Sequence, residues 1–287
     1  MANSVLVTGT STGFGQEIAL TLAERGFTVY ATMRNLARRD ALDASAQQRN
    51  IKLRVLQLDV TDSSSIERAV ETVVEESGGI FGVVNNAGIM LRGYFEDLSD
   101  AEIRELFDTN FYGTLAVTRA VLPHMRKAGT GRIVIITSVA GKIGSPSGSA
   151  YSASRFAQEG FGESLRQEVE PLGITVSLIE PGITKTDSWT VDKGAGKNTS
   201  DPDSPYYAWF KNAEALFDRQ MNDSSNTVQD VAAAVYKALS DPQPRWRYMV
   251  GRWARLVVNL RRIIPEELFA QVYFGEVMRR VTGADNE

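Results

Sequence analysis

The sequence of 287 residues contains no cysteine and only one histidine, His124. Without thiols the chain can form no disulfide, no thiolate metal site and no cysteine nucleophile. One histidine cannot form a metal cluster, so we expect no metal site. The lack of cysteine also fits a reducing compartment, and we expect a cytoplasmic protein.

Long apolar runs and an excess of positive charge are absent as well. No apolar segment approaches the roughly 18 residues that span a bilayer. Strand-like residues begin at Ser4, so we expect no signal peptide. A formal net charge of −4 and a pI of about 5.3 argue against nucleic-acid binding. With 43% hydrophobic and 23% charged residues, the chain can bury a sizeable core. We expect a globular protein that is soluble or at most attached to a membrane surface.

Short apolar runs alternate along the chain with longer segments of helical periodicity. The runs are apolar at nearly every position, which is typical of parallel strands covered on both faces. They span residues 4–8, 27–33, 52–60, 80–86, 132–138 and 174–180. The alternation predicts one doubly wound α/β domain of the Rossmann type over residues 1–287, with a parallel sheet of about seven strands.

A polar segment follows the last of these runs. Residues 187–205 are rich in Gly, Ser, Asp and Pro, and an aromatic segment at 206–210 and a predicted helix over 226–240 come next. Loops of this length inside a compact domain usually cover or bind a ligand. We interpret residues 187–225 as a substrate lid made of a loop and a helix, with a disordered surface loop as the alternative.

The C-terminal segment 245–287 is basic and aromatic. It carries eight arginines against five acidic residues, together with Trp246, Tyr248 and Trp253. We interpret it as a last strand and a helical extension that pack against the core. A wall of the substrate pocket and a helix that lies on a membrane surface are two alternatives.

A glycine-rich turn lies between the first strand and the first helix, with glycines at Gly9, Gly13 and Gly15. Glycine lets the backbone approach a pyrophosphate closely, and a helix N-terminus supplies amide donors and the positive end of a dipole. The turn therefore indicates a dinucleotide site, with a purely structural turn as the alternative.

The end of the second strand bears on the choice of dinucleotide. An acidic residue there would bind the ribose diol of NAD, but no acidic residue of this segment precedes Asp40. Arg34 instead suits a 2′-phosphate, with help from Arg38 or Arg39. The pattern favours NADP, and NAD stays open because Arg34 could equally be a solvated residue at a helix start.

The segment "AYSASRFAQEG" (150–160) places Tyr151 and Arg155 one helical turn apart, so both side chains point to the same side. A phenol needs help to exchange protons near neutral pH, and a fixed cation favours its ionised form. Arg155 supplies the charge, but a guanidinium does not readily lose a proton, so a proton relay stops there. We expect a slowed chemical step with the fold and cofactor binding retained.

Seven motifs, in this order, resemble the short-chain dehydrogenase/reductase family over roughly residues 4 to 190. They are "TGTSTGFG" (8–15), "LDVTD" (58–62), "NNAG" (85–88), "TN" (109–110), "ITS" (136–138), "YSASR" (151–155) and "PGITKT" (181–186). The segments "VYATMRN" and "ARLVVNLRRIIPEELF" are similar to the hydroxysteroid and retinol dehydrogenase-like branch. The resemblance implies an NADP(H)-dependent oxidoreductase for a lipophilic ketone, aldehyde or alcohol. It also implies a homo-oligomer, a dimer or tetramer, assembled through helices near 99–127 and 150–171.

The resemblance assigns roles to single residues. Tyr151 would be the general acid and base, Ser138 would hydrogen-bond the substrate oxygen, and Asn110 would anchor a water of the proton relay. Arg155 occupies the position of the family's catalytic lysine. The residues expected to bind the cofactor are Gly9, Thr10, Ser11, Thr12, Gly13, Phe14, Gly15, Arg34, Asp59, Val60, Asn86, Ala87, Gly88, Tyr151, Arg155, Pro181, Gly182, Thr184 and Thr186.

Two other functions stay open. One is a ketoreductase that acts on acyl-carrier-bound or polyketide intermediates. The other is a catalytically impaired, dinucleotide-binding regulatory protein, which only Arg155 supports. Ser138, Tyr151 and Asn110 are all present, and a chain free of catalytic demand could have lost any of them, so an enzyme is favoured.

Overall fold

The computed structural model describes residues 3–185 and 194–283. Seven parallel strands form one sheet in the order β3-β2-β1-β4-β5-β6-β7. The strands are β1 (Ser4–Val7), β2 (Thr28–Met33), β3 (Arg54–Gln57), β4 (Gly82–Asn85), β5 (Gly131–Ile136), β6 (Ile174–Pro181) and β7 (Arg247–Val250). The doubly wound Rossmann-type sheet predicted from the alternation is confirmed.

Helices cover both faces of the sheet and continue beyond its last strand. The helices of the described residues are α1 (Gly13–Glu24), α2 (Asp40–Gln48), α3 (Ser63–Ser77), α4 (Asp100–Phe107), α5 (Gly113–Ala128), α6 (Ser149–Val169), α7 (Tyr207–Asp223), α8 (Val228–Ser240), α9 (Arg252–Ile263), α10 (Glu266–Phe269) and α11 (Gly275–Thr282). None of them is long and apolar enough to cross a bilayer.

Two apolar layers hold the helices against the sheet. In β1, Val5 and Val7 point into the layer under α1, α2 and α8, whereas Leu6 points into the layer under α3, α5 and α6. Successive side chains of a strand point to opposite faces, so a strand in the middle of such a sheet must be apolar at every position. This is why the central strands read as continuous apolar runs.

The edge strand β3 departs from this pattern. The apolar run 52–60 predicted a strand covered on both faces, but β3 is shorter, and Arg54 and Gln57 are exposed. Among the described strands it pairs with β2 alone, and side chains at a sheet edge are less covered than those in the middle. Arg54 forms a surface ion pair with Glu76 at 2.7 Å.

Local signals set the ends of several helices. α4 begins with a capping box in which Ser99 and Glu102 exchange hydrogen bonds, and α8 begins with the same device from Thr227 and Asp230. Gly129 ends α5 with φ of +65°, a left-handed conformation that glycine adopts without strain.

The predicted lid over 187–225 begins outside the described residues, because 186–193 are not described. From Gly194 onward the chain is held by backbone hydrogen bonds to the loop after β4. Arg92 N donates to Gly194 O at 2.7 Å, and Gly196 N donates to Arg92 O at 2.8 Å. The Arg92 guanidinium also pairs with Glu214 of α7 at 2.8 Å. These contacts fix residues 194–223, which contain a short 3₁₀ turn and α7, against the loop after β4.

Candidate active site

A cavity of about 1550 Å³ opens at the carboxyl edge of the sheet. Gly9 follows β1, Asn86 follows β4, Ser138 follows β5 and Gly182 follows β6, and all four line the cavity. The strand order reverses between β1 and β4, and doubly wound sheets bind their ligands at such a switch point.

The glycine-rich turn forms one end of the cavity. Gly9 and Gly13 have φ of +70° and +60°, where a side chain would be strained. A Cβ on Gly15 would lie 2.1 Å from Gly9 O and 2.4 Å from Asn86 Nδ2, so only glycine fits there. Asn86 Nδ2 donates to Thr8 O at 2.8 Å and to Gly9 O at 3.0 Å, which fixes the turn at the start of α1.

The next part of the cavity carries the arginines. Arg34 and Arg38 line it together with Asp59. Arg39 does not line it and is held by Asp43 at 2.6 Å. Of the two residues expected to help Arg34, the structure therefore places Arg38 at the cavity and Arg39 outside it.

Ser138, Tyr151 and Arg155 all line the cavity. The Arg155 guanidinium carbon lies 4.9 Å from the centre of the Tyr151 ring. Arg155 Nη1 donates to Ile136 O at 3.2 Å and to Gln158 Oε1 at 2.8 Å. Ser138 Oγ accepts from Ala140 N at 3.1 Å and keeps its proton free to donate. The buried guanidinium is thus fixed beside the phenol.

Asn110 lies behind this group and does not line the cavity. It is fully buried in a π-helical turn between α4 and α5. Its side-chain amide accepts from Ile89 N at 2.8 Å and donates to Ile89 O at 2.9 Å, which holds the loop after β4. The backbone carbonyl oxygen of Asn110 accepts from Gln158 Nε2 at 2.7 Å and from Thr114 Oγ1 at 2.8 Å. Two donors satisfy the two lone pairs of that oxygen.

Gln158 was missed by sequence reasoning. It links Arg155 to Asn110, because its oxygen accepts from Arg155 and its nitrogen donates to Asn110 O. The available signal was its position three residues after Arg155, since side chains at i and i+3 are neighbours on a helix.

Two residues of the expected cofactor set lie away from the main cavity, and a third falls outside the described residues. Thr10 is fully buried, and its N–H and hydroxyl both donate to Thr32 O. Gly13 faces a small second pocket beside Gln16. Thr186 lies outside the described residues. The other sixteen residues all line the main cavity.

Apolar side chains line another part of the cavity. The sequence predicted the two segments that they come from but not the individual residues. α7 contributes Leu216, Phe217 and Met221, and the C-terminal segment contributes Trp253, Leu256, Val257, Tyr273, Phe274, Val277 and Val281. Part of the predicted lid and part of the C-terminal extension therefore form pocket wall. The same extension also packs on the core through Val258 and Phe269.

A group of buried charged residues lies behind Ser138. Thr137 Oγ1 donates to Glu159 Oε1 at 2.6 Å. Lys142 pairs with Glu159 at 2.5 Å, and Arg247 pairs with Glu180 at 2.6 Å and also with Glu159. The buried carboxylates of Glu159 and Glu180 are thus neutralised by two cations. One is Lys142 in the loop after β5, and the other is Arg247 on β7.

Arg247→Met is expected to destabilise the protein by about 3 kcal/mol near pH 8, because it leaves two buried carboxylates with one cation. Burial raises the pKa of the Glu180 carboxyl, the nearby Glu159 raises it further, and the Arg247 hydrogen bond opposes both effects. A carboxyl whose pKa is higher in the folded state stabilises the protein at pH values below its unfolded-state pKa of ~4.3. This stabilisation is lost as pH rises through its folded-state pKa.

Loss of Arg247 raises the folded pKa of Glu180 further, so the stability deficit of Arg247→Met is expected to shrink as pH falls toward about 5. Urea unfolding at several pH values measures this difference. Arg54→Met removes an exposed pair with Glu76 and is the control, with an expected loss of at most ~1 kcal/mol. A deficit for Arg247→Met that grows as pH falls would contradict the account.

Comparison with known proteins agrees with the fold. Residues 3–194 match the family model for short chain dehydrogenases. The chain is 35% identical to 3-ketodihydrosphingosine reductase of Bacteroides thetaiotaomicron over 86% of this chain and 87% of the relative. It is 34% identical to retinol dehydrogenase 8 of Homo sapiens, with 85% and 80% covered. The 17-beta-hydroxysteroid dehydrogenase type 1 of Homo sapiens is also 34% identical, with 85% and 76% covered.

Solved structures show the same architecture. A short-chain dehydrogenase from Streptomyces avermitilis superposes with a TM-score of 0.78 at 33% identity, with 98% of each chain covered. An F189W variant of actinorhodin polyketide ketoreductase, solved with NADPH, gives a TM-score of 0.74 at 29% identity, with 86% and 95% covered. The chain therefore belongs to the short-chain dehydrogenase family and is an oxidoreductase. The expected likeness to the retinol and hydroxysteroid dehydrogenase branch is confirmed.

Proposed function

We propose that this chain is an NADP(H)-dependent oxidoreductase that interconverts a lipophilic ketone or aldehyde and its alcohol. One observation carries the proposal. A single cavity joins the glycine-rich turn, the group of Ser138, Tyr151 and Arg155, and an apolar end formed by α7 and the C-terminal segment. Cofactor, proton donor and substrate can therefore meet in one place.

The residues fit a nicotinamide dinucleotide. A Cβ at Gly15 would clash with Gly9 and Asn86, so the tight turn depends on glycine there, and it places the N-terminus of α1 at the cavity, where a pyrophosphate would bind. Arg34 and Arg38 would bind the 2′-phosphate, and Asp59 and Val60 would border the adenine. The NADPH-bound ketoreductase of the same fold supports this assignment. When bound, NADPH supplies the hydride.

The chain's own residues would handle the proton and the developing negative charge. Tyr151 donates its phenolic proton to the substrate oxygen during reduction, and Ser138 Oγ donates a hydrogen bond to the same oxygen. The Arg155 guanidinium, 4.9 Å from the ring centre, stabilises the tyrosinate that remains. The carbonyl gains a hydride and a proton, which gives the alcohol.

The substrate class follows from the apolar walls. A site lined by Phe217, Met221, Trp253 and Leu256 removes apolar substrate surface from water, which favours long or polycyclic carbonyl compounds. Relatives named for ketodihydrosphingosine, retinol and hydroxysteroid substrates support this class. The likeness to a polyketide ketoreductase supports the competing assignment to acyl or polyketide intermediates.

We also propose a homo-oligomer built through the helices near 99–127 and 150–171, which are α4, α5 and α6. Tyr112 and Phe156 are exposed aromatic residues at this face, and a second copy would cover them. The monomer has a mass of 31.5 kDa. Light scattering on the purified protein is expected to give two or four times this mass, and a monomeric mass at micromolar concentration would refute the assembly.

Arg34→Ala is expected to weaken NADPH binding by about 10- to 150-fold, because a hydrogen bond to a charged group contributes roughly 1.5–3 kcal/mol. NADH binding is expected to change little, since NADH lacks the 2′-phosphate. Fluorescence titration gives both Kd values. Arg39→Ala is the control, because Arg39 pairs with Asp43 outside the cavity. Equal losses for NADPH and NADH would remove the 2′-phosphate role from Arg34.

A substrate panel tests the proposed function. NADPH oxidation is followed with long-chain ketones, steroid ketones, a retinoid aldehyde, β-keto thioesters and short polar ketones. Turnover that rises with apolar surface is the expected result. Turnover confined to the thioesters would favour the polyketide-type assignment. Tight NADPH binding without any turnover, in the natural protein and in Arg155→Lys, would favour a regulatory protein.

A further inference from the structure

An exposed apolar stripe runs along α9. Its members are Trp253, Leu256, Leu260 and Ile263, with exposed fractions of 77%, 53%, 48% and 81%. They recur at i, i+3, i+7 and i+10 and therefore share one face of the helix. The core side of α9 is held elsewhere, through the buried Val258 that packs with Ile143 and Phe269. The stripe is thus an outer face of a helix that is already packed.

The charged residues of α9 itself are all arginines, and one of them, Arg261, pairs with Glu266 of α10 at 3.5 Å. No acidic residue occurs between Arg245 and Pro265, although the chain as a whole has a formal net charge of −4. Arg252 and Arg262 on α9 are exposed beside the stripe. A helix that combines Trp and aliphatic residues on one face with arginines and no acids has the composition of an interfacial helix, and its positive charge complements anionic lipid headgroups.

The stripe is continuous with the substrate cavity. Trp253 and Leu256 belong to the stripe and also line the cavity, as does Arg252. A surface that receives the stripe therefore lies at the end of the cavity that Trp253 and Leu256 line. A sparingly soluble substrate can pass from a bilayer into this end without crossing bulk water.

We infer that α9 docks the protein on an anionic bilayer surface through the stripe of Trp253, Leu256, Leu260 and Ile263. The docking itself stands apart from the proposed function. Its use, delivery of a membrane-dissolved ketone or alcohol to the cavity, rests on the proposed function.

Co-sedimentation of the full chain with vesicles tests the docking. Vesicles of phosphatidylcholine alone are compared with vesicles that contain about a third of phosphatidylglycerol. Binding is expected to the anionic vesicles and to weaken as salt rises, because salt screens the arginines. The double variant Leu260→Ser/Ile263→Ser is expected to lower the partition coefficient at least tenfold. Both residues lie outside the cavity lining, so NADPH binding is expected to be unchanged.

Phe95→Ser is the matched control, because Phe95 is 71% exposed on a 3₁₀ turn away from α9. Its vesicle binding is expected to equal that of the natural protein. No binding to anionic vesicles at low salt would overturn the inference, and so would equal losses in Phe95→Ser and the double variant. If the natural protein does not bind vesicles and the double variant has a lower oligomeric mass, the stripe contacts a second copy of the chain. That result would also overturn the inference. Vesicle binding by a protein inactive on every lipophilic carbonyl would refute only the proposed substrate class.

Discussion

Arg155→Lys is expected to raise kcat by one to three orders of magnitude while leaving the Kd for NADPH within about threefold. The guanidinium is bound to Ile136 O and to Gln158, and a guanidinium donates hydrogen bonds but does not serve as a proton carrier. It can stabilise a tyrosinate but cannot pass a proton to Tyr151. A lysine ammonium keeps the charge and can exchange protons, and general acid–base steps contribute about 10²–10⁴ in rate.

Single-turnover oxidation of bound NADPH by a lipophilic ketone measures this effect. Arg166→Lys is the control, because Arg166 lies on the same helix and pairs at the surface with Glu170; its rate is expected to match that of the natural protein. Equal rates for the natural protein and Arg155→Lys would show that the arginine serves Tyr151 as well as lysine does. The notion of a slowed chemical step would then be wrong.

Tyr151→Phe is expected to lower kcat by about 10²–10⁴, because it removes the proton donor from the reacting oxygen. The phenyl ring keeps its contact with the Arg155 guanidinium, so the helix and NADPH binding are expected to stay intact. Ser138 still donates one hydrogen bond to the oxyanion, which accounts for the residual rate. Steady-state NADPH oxidation and a fluorescence titration separate the two readouts.

Tyr236→Phe controls for the loss of a phenol. Tyr236 lies on α8, where its ring meets Phe27 and Arg25 away from the cavity. Its kcat is expected to stay within twofold. A Tyr151→Phe variant that keeps more than a tenth of the natural kcat would mean that another group supplies the proton.

Much of the fold was predictable from the sequence because parallel strands and their covering helices leave local patterns. The run at 4–8 is apolar on both faces because β1 lies in the middle of the sheet. The glycines of the turn were predictable for a related reason, since Gly9, Gly13 and Gly15 meet local demands of φ or close backbone approach. The length and exposure of β3 were not predictable, because an edge position depends on strand order and not on the strand itself.

The contacts that surround the candidate reacting residues could not be predicted from the sequence. Gln158 contacts Asn110, 48 positions away in the chain, and nothing in the local pattern shows that contact. The pairing of Glu159 and Glu180 with Lys142 and Arg247 joins four separate segments, and no spacing predicts it. Sequence motifs therefore locate the candidate reacting groups, and tertiary contacts decide which hydrogen bonds and charges restrain them.

Transfer of deuterium from NADPH labelled at C4 of the nicotinamide to a lipophilic ketone tests the central claim most directly. Both C4-labelled diastereomers are used, and the product is analysed by mass spectrometry. The account predicts an alcohol one mass unit heavier from one of the two diastereomers, at a rate that Tyr151→Phe strongly reduces. Tight NADPH binding with no labelled alcohol from any apolar ketone or aldehyde, in the natural protein and in Arg155→Lys, would contradict it.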